Sequence, residues 1–286
     1  MRRTIRWKGN SEIILGMDEA GTGPSVVLLP ALSSISTRQE MLPLLDRLSS
    51  QFRVSTVDWP GFGEVARPRE DWSLLSAFLD WFLSEIALPP HAIVAAGHAA
   101  TYALHHAVHR PGTVNRLALI APTWRGPLPT MMDGARQWFA RVRAVIDAPV
   151  IGPLLYRLNV SGFVVSRMAR GHVYSDPAWL TIDRLVEKLA VTRTEGARYG
   201  SVRFVTGALD RIDTRAAFLD LARRANAPVL VIYGADTPRK SRAEMEALRD
   251  VPNVRLNQLS AGKLAVHEEL PDAVAGTIEP FLNEDW

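Results

Sequence analysis

Six short, mostly apolar runs, at residues 26–29, 52–57, 92–96, 117–121, 229–233 and 254–259, lie against turn-forming residues such as Pro30, Asp58, Gly97, Pro122, Gly234 and Asn253. Runs of this length without alternation suit strands buried on both faces of a parallel sheet. Helical patterns lie between them. Leu75, Phe78, Leu79, Phe82 and Ile86 recur at helical spacing, and Thr37 followed by Glu40 predicts a capping box ahead of Met41, Leu44, Leu45 and Leu48. Strand–helix alternation of this kind implies a doubly wound α/β sheet with right-handed crossovers. Two earlier segments, 4–7 and 13–17, predict an antiparallel hairpin at its edge.

The alternation stops for about a hundred residues between Ala121 and Pro228, where helical patterns take over with Trp138, Val142 and Ile146 on one stripe. A helix predicted over 215–226 leads back into the 229–233 strand. The 286-residue chain therefore reads as one core, 1–124 and 210–286, interrupted by an inserted helical cap at 125–209. Charge follows the same division. The insertion holds 12 basic and 6 acidic residues, net +6, and the remainder 21 and 24, net −3.

Composition narrows the chemistry. A chain with 47% hydrophobic and 22% charged residues has the make-up of an ordinary globular protein. Its lack of cysteine removes disulfides, thiolate metal sites and cysteine nucleophiles. A net charge of +3 without an arginine-rich run gives no reason to expect a nucleic-acid partner. The basic N-terminus runs into polar residues rather than the apolar stretch of a signal peptide, and no run reaches the length of a membrane span. The expectation is a soluble, cytoplasmic protein with no cofactor.

Ala92-Ile-Val-Ala-Ala-Gly-His-Ala-Ala-Thr101 carries a buried strand through Gly97 into a helix. Here the chain resembles the α/β-hydrolase family, whose nucleophile stands on this strand-to-helix elbow in a Gly-x-Ser-x-Gly motif. Four further segments resemble the family in order and spacing: Val26 to Ala31, Val57-Asp-Trp-Pro-Gly-Phe-Gly63, Arg110 to Pro122, and the Pro228 to Gly234 strand with the C-terminal helix after Pro271. The resemblance implies an eight-stranded, mostly parallel sheet with a cap after the sixth strand, and hydrolysis of an ester, thioester, epoxide or similar small molecule.

The catalytic slots depart from that pattern. Counted along the motif, the nucleophile position is Ala99, whose methyl group neither attacks a carbonyl nor loses a proton. The histidine position falls on Leu264 or Lys263, with His267 three or four residues later. The acid position falls on Thr237, one residue past Asp236. Pro30-Ala31 replaces the His-Gly turn, and Thr101 replaces the second elbow glycine. An engineered Ser→Ala exchange would account for Ala99 alone, whereas natural loss accounts for every departure. Two backbone donors of the oxyanion hole need no side chain, and the resemblance puts them at Ala100 and near Leu32.

Other residues carry competing readings. His105, His106 and His109 have zinc-like spacing but no intervening Glu, so ordinary packing is the better reading and no metal is expected. His98 reads as a packing residue, and His267 with Glu268 and Glu269 as a solvated helix start. Asp236 reads as a turn cap or a catalytic remnant. Trp124, Met131, Met132 and Trp138 read as core or as the lining of a ligand pocket under the cap. Three functions remain open. One is a degenerate hydrolase binding a small apolar or anionic carbonyl compound at Leu32, Ala99, Ala100, Trp124 and Leu264. The second is an active enzyme in which His98 or His267 works with Asp236, and the third is a module that binds a protein partner through its basic cap.

Overall fold

The computed structural model describes residues 1–9, 12–63, 74–87 and 90–284. One eight-stranded sheet forms the centre: β1 Arg2–Lys8, β2 Glu12–Ala20, β3 Ser25–Leu29, β4 Arg53–Val57, β5 Pro90–Ala96, β6 Arg116–Ile120, β7 Val229–Gly234 and β8 Val254–Leu259, in the order β1-β2-β4-β3-β5-β6-β7-β8. β1 and β2 form the expected antiparallel hairpin, with Ile5, Trp7, Ile13, Leu15 and Met17 turned inward. β2 meets β4 antiparallel, and every later pairing is parallel. β8 departs from the sequence reading. As the edge strand it is covered only in part, because among the described residues no strand lies beyond it.

Helices cover both faces. α1 Leu42–Leu48 and α13 Pro271–Asn283 seal one side, where Leu44, Leu48, Val274, Ile278 and Phe281 pack on Val26, Val54 and Val94. α2 Leu75–Trp81, α3 Ala99–His109 and α10 Arg215–Arg224 seal the other, around Phe78, Leu104, Phe218 and Leu119. Between β6 and β7 the chain runs through α4 Pro127–Met131, α5 Phe139–Asp147, α6 Ile151–Asn159, α7 Gly162–Met168, α8 Ile182–Arg193 and α9 Ala197–Val205. Two short helices follow the last strands, α11 Arg239–Glu246 and α12 Val266–Glu269.

The strand order reverses direction between β3 and β5, and in open α/β sheets the loops at the carboxyl ends of such neighbouring strands frame the site. Leu29 pairs with Ala95, so the turn after β3 lies beside the turn after β5, with Ala31 next to Gly97.

The predicted capping box does not form. Thr37 caps a single 3-10 turn, Arg38–Met41, accepting from the Gln39 amide at 3.2 Å, while Glu40 turns away to accept from the Ala31 amide at 2.7 Å. The neighbouring Arg38 reaches the opposite way. Its guanidinium donates to Asp58 at 2.6 Å and Asp18 at 2.7 Å, and its backbone amide to Asp58 at 2.8 Å. Arg38 and Asp58 are each only 1% exposed, so the Asp-x-Pro-Gly-x-Gly segment is anchored by a buried ion pair. Gly16 leaves the room, since a Cβ there would lie 2.4 Å from the guanidinium.

A buried charge that loses its partner is costly because nothing replaces its hydration. Arg38→Met is expected to lower unfolding stability by about 3–5 kcal/mol, read as a shift of the urea midpoint. Arg6→Met, at an exposed pair with Glu12, should change it by less than about 1 kcal/mol.

Candidate functional site

The passage from β5 into α3 fixes the site. β5 ends at Ala96, Gly97 takes a left-handed φ of +52°, His98 is the N-cap and the helix begins at Ala99. The elbow vertex is therefore Gly97, two residues earlier than the motif count placed it. Glycine alone takes this backbone without steric penalty, so the chain turns there, and Ala95 and Ala99 fill the flanking small positions. Ala99 lies in the first helical turn, fully buried in the core. A Cβ built on Gly97 would face the β3 turn, 3.2 Å from the Ala31 Cβ.

The shift moves the backbone donors as well. The Ala100 amide, read from sequence as a free donor, is taken by the Gly97 carbonyl at 3.3 Å. The amide next to the vertex is that of His98. Among the described residues, neither the His98 nor the Leu32 amide meets an acceptor. His98 is the N-cap of an 11-residue helix, whose N-terminal dipole favours negative charge. Thr101 is a helical residue whose hydroxyl donates to the His98 carbonyl at 3.0 Å, so it does not crowd the turn.

Each histidine has its own carboxylate, and neither is Asp236. The buried His98 donates from Nε2 to the Leu209 carbonyl at 3.2 Å, which assigns its tautomer, and lies 3.3 Å from Asp210. Tyr102 donates to the same carbonyl, and the Gly126 amide to Asp210. Burial pushes the His98 imidazole down to about 4 and the Asp210 carboxyl up to about 7.

His267 is only 2% exposed, which overturns the reading of a solvated helix start; its Nε2 lies 3.5 Å from Glu40. Burial works to raise the Glu40 carboxyl, but His267 and Lys188 outweigh it and hold it below the usual carboxylate range.

The remaining family positions serve contacts with the helices between β6 and β7. Asp236 accepts from the Ser175 hydroxyl and from the Gly262 amide at 3.2 Å, and these bonds lower its pKa. Leu264 rests half-buried against the core, and Lys263 donates to the Arg170 carbonyl at 2.7 Å. Next to them, Glu268 accepts from Tyr174 and Lys188, and Glu269 from the amides of Ser175 and Asp176.

Ligand atoms of Glu40, His267 and Glu268 come within 4.8 Å of one another, a spacing that suits a cation. The Lys188 ammonium, 2.7 Å from Glu268, supplies that positive charge, and the Ala31 amide occupies Glu40. His105 and His109 instead stack with ring centroids 3.9 Å apart, His105 accepting from Arg211 and His109 donating to the His105 carbonyl.

Trp124 packs into the core and borders a cleft. It is buried, donates to Glu244 at 3.2 Å and lies under the Arg125 guanidinium at 4.0 Å. Beside it opens a cleft of about 330 Å³ lined by Thr123, Arg125, Arg215, Arg239, Lys240 and Glu244. Met131, Met132 and Trp138 lie on the outer surface, not beneath a cap.

Sequence reasoning missed Gly97 as the vertex, although its position at the end of an apolar run was the available signal. It also missed Glu40 and Asp210, whose histidine partners are remote in sequence and give no local signal.

The parallel sheet, the left-handed elbow and the covering helices define an α/β-hydrolase architecture. The sequence profile of the alpha/beta hydrolase family matches residues 26–277, and the chain belongs to that family. Among solved structures it is similar to a hydrolase from Pseudomonas aeruginosa PA01, with 20% identity and a TM-score of 0.73 over 98% of both chains. A thermophilic esterase from Thermogutta terrifontis matches at 21% identity and a TM-score of 0.73, over 99% of this chain and 98% of that one. The enol-lactonase from Burkholderia xenovorans LB400 matches at 17% and 0.69, over 95% and 97%. At these identities the likeness is one of fold. No protein of curated function matches the sequence.

The His98–Asp210 pair sets a pH signature. Stability from the raised Asp210 carboxyl is complete below its ordinary value of 3.8 and is lost as pH rises toward 7. Stability from the depressed His98 is complete above 6.5 and is lost as pH falls toward 4. The two slopes oppose each other across the shared range. Urea midpoints measured from pH 4 to 6.5 should therefore rise with pH in Asp210→Asn and fall with pH in His98→Gln, with the unmodified chain between them.

Proposed function

We propose that this α/β-hydrolase binds a small carbonyl or carboxylate compound at the elbow without forming an acyl-enzyme. The helices spanning 127–205 act as a cap over that site in this reading. The observation that carries it is Gly97. At the left-handed vertex, where the family's fold presents its nucleophile, this chain has no side chain at all.

The supporting observations are chemical. The His98 and Leu32 amides are without acceptors among the described residues and belong to the two turns, after β5 and after β3, that supply the oxyanion hole of this fold. Leu264 and Lys263 at the histidine position supply no general base near neutral pH, and Asp236 is committed to Ser175 and Gly262. The Thermogutta terrifontis esterase was solved with malate bound, a carboxylate of the class proposed here.

A second reading is favoured by one observation. Both ring nitrogens of buried His267 are without a hydrogen-bond partner among the described residues, and Glu40 beside it reaches the Ala31 amide of the β3 turn. A histidine–carboxylate pair so close to the elbow is the equipment of a general base acting on a ligand or water.

A fluorophosphonate probe with p-nitrophenyl butyrate as substrate tests the first reading. No serine is labelled and no burst of nitrophenol appears. Gly97→Ser stays equally inert, because a hydroxyl without a positioned base remains protonated. Covalent labelling of a serine in the cleft would overturn the proposal. Turnover without labelling, abolished by His267→Gln, would establish the second reading in its place.

A further inference from the structure

The outer surface of α5, α6 and α7 is apolar where a globular protein is ordinarily polar. On α6, Ile151, Leu154, Leu155 and Leu158 stand at helical i, i+3, i+4 and i+7 spacing, all facing solvent. Val150 is 81% exposed, Leu154 61%, Leu158 62% and Phe163, at the start of α7, 77%. Trp138, Val145 and Met168 are exposed on the same helices or at their ends. Single exposed apolar residues are ordinary, whereas this many on three consecutive helices mark an interaction face. An apolar groove between Trp138, Val142, Ile146 and Leu155 joins α5 to α6.

Charge around this face selects the partner. Between residues 134 and 175 the basic side chains are Arg136, Arg141, Arg143, Arg157, Arg167 and Arg170, and the one acidic residue is Asp147. Asp147 is withdrawn from the surface into a two-pronged ion pair with Arg203, both contacts at 2.7 Å. Within that segment arginine collars the apolar face with no exposed carboxylate; exposed Asp133, Asp176, Asp183 and Glu187 lie beyond its ends, and the whole stretch 125–209 keeps a net charge of +6. A second copy would set two such collars against each other around a symmetric contact, and like charges there are repulsive. An acidic surface with an apolar layer behind it matches both properties: the arginines meet the headgroups while leucine and phenylalanine enter the acyl boundary.

We propose that the α5–α7 face docks the protein onto an anionic lipid surface, lying on the membrane without crossing it. Among the described residues no helix is long and apolar enough to span a bilayer, so the attachment is interfacial. The docking is independent of what the elbow binds, because its residues are outside that site.

Co-sedimentation of the full chain with phosphatidylcholine vesicles, with and without phosphatidylglycerol, tests the proposal. The chain pellets with the anionic vesicles, remains in solution with the neutral ones, and is released by high salt. Leu154→Glu with Leu158→Glu, and separately Arg157→Glu with Arg167→Glu, each weaken the partitioning by about tenfold or more. Both pairs are exposed, so their thermal unfolding stays that of the unmodified chain. Absence of binding to anionic vesicles overturns the proposal, as does equal binding to neutral ones. Sedimentation velocity supplies the rival outcome: a dimer that the leucine pair abolishes, without vesicle binding, would assign the face to a second copy.

Discussion

Everything at the centre of this molecule depends on one reversal of backbone direction. β5 has to hand over to α3 within two residues, and the turn demands a left-handed vertex that L side chains resist. The fold tolerates the strain of a non-glycine residue when catalysis requires a nucleophile there. In this chain glycine removes the strain and the nucleophile together. The same reversal places the helix N-terminus beside the β3 turn, where a Cβ on Gly97 would lie 3.2 Å from that of Ala31, and leaves the His98 and Leu32 amides without acceptors among the described residues.

Around that point, the positions that would complete a triad have other commitments. Asp236, Glu268 and Glu269 hold Ser175, Tyr174, Lys188 and the amide of Asp176, which ties the β7 and β8 loops to the helices above them. Arg38 and Glu40, side by side on one 3-10 turn, send a cation toward Asp18 and Asp58 and an anion toward Ala31 and His267. Buried charges of this kind stay in place only when paired, so the turn is fixed from both sides. A turn built this way is held rigidly, with its carboxylates engaged in structure.

The fold was legible because short apolar runs and their turn residues are local signals. The runs at 26–29, 92–96, 117–121 and 229–233 all became buried parallel strands, and the early hairpin paired as expected. The capping box failed because Glu40 found a stronger competitor than the Thr37 backbone, namely the Ala31 amide and His267, neither visible in a local motif. The elbow register slipped because counting along a motif assumes that the vertex is a fixed distance from its first glycine, whereas the backbone turns where a Cβ is absent. His267 was misread for a related reason: a His-Glu-Glu run looks solvated until Lys188 and Tyr174 arrive from eighty or more residues away.

Amide nuclear magnetic resonance reads the elbow directly. Titrated with butyrate at constant ionic strength, the His98 and Leu32 amide resonances should move downfield together and saturate at one concentration, while the Ala100 resonance, already bonded to Gly97, moves least. Shifts confined to other parts of the chain, or none at saturating butyrate, would contradict the claim that the elbow of this α/β-hydrolase is a binding site without a nucleophile.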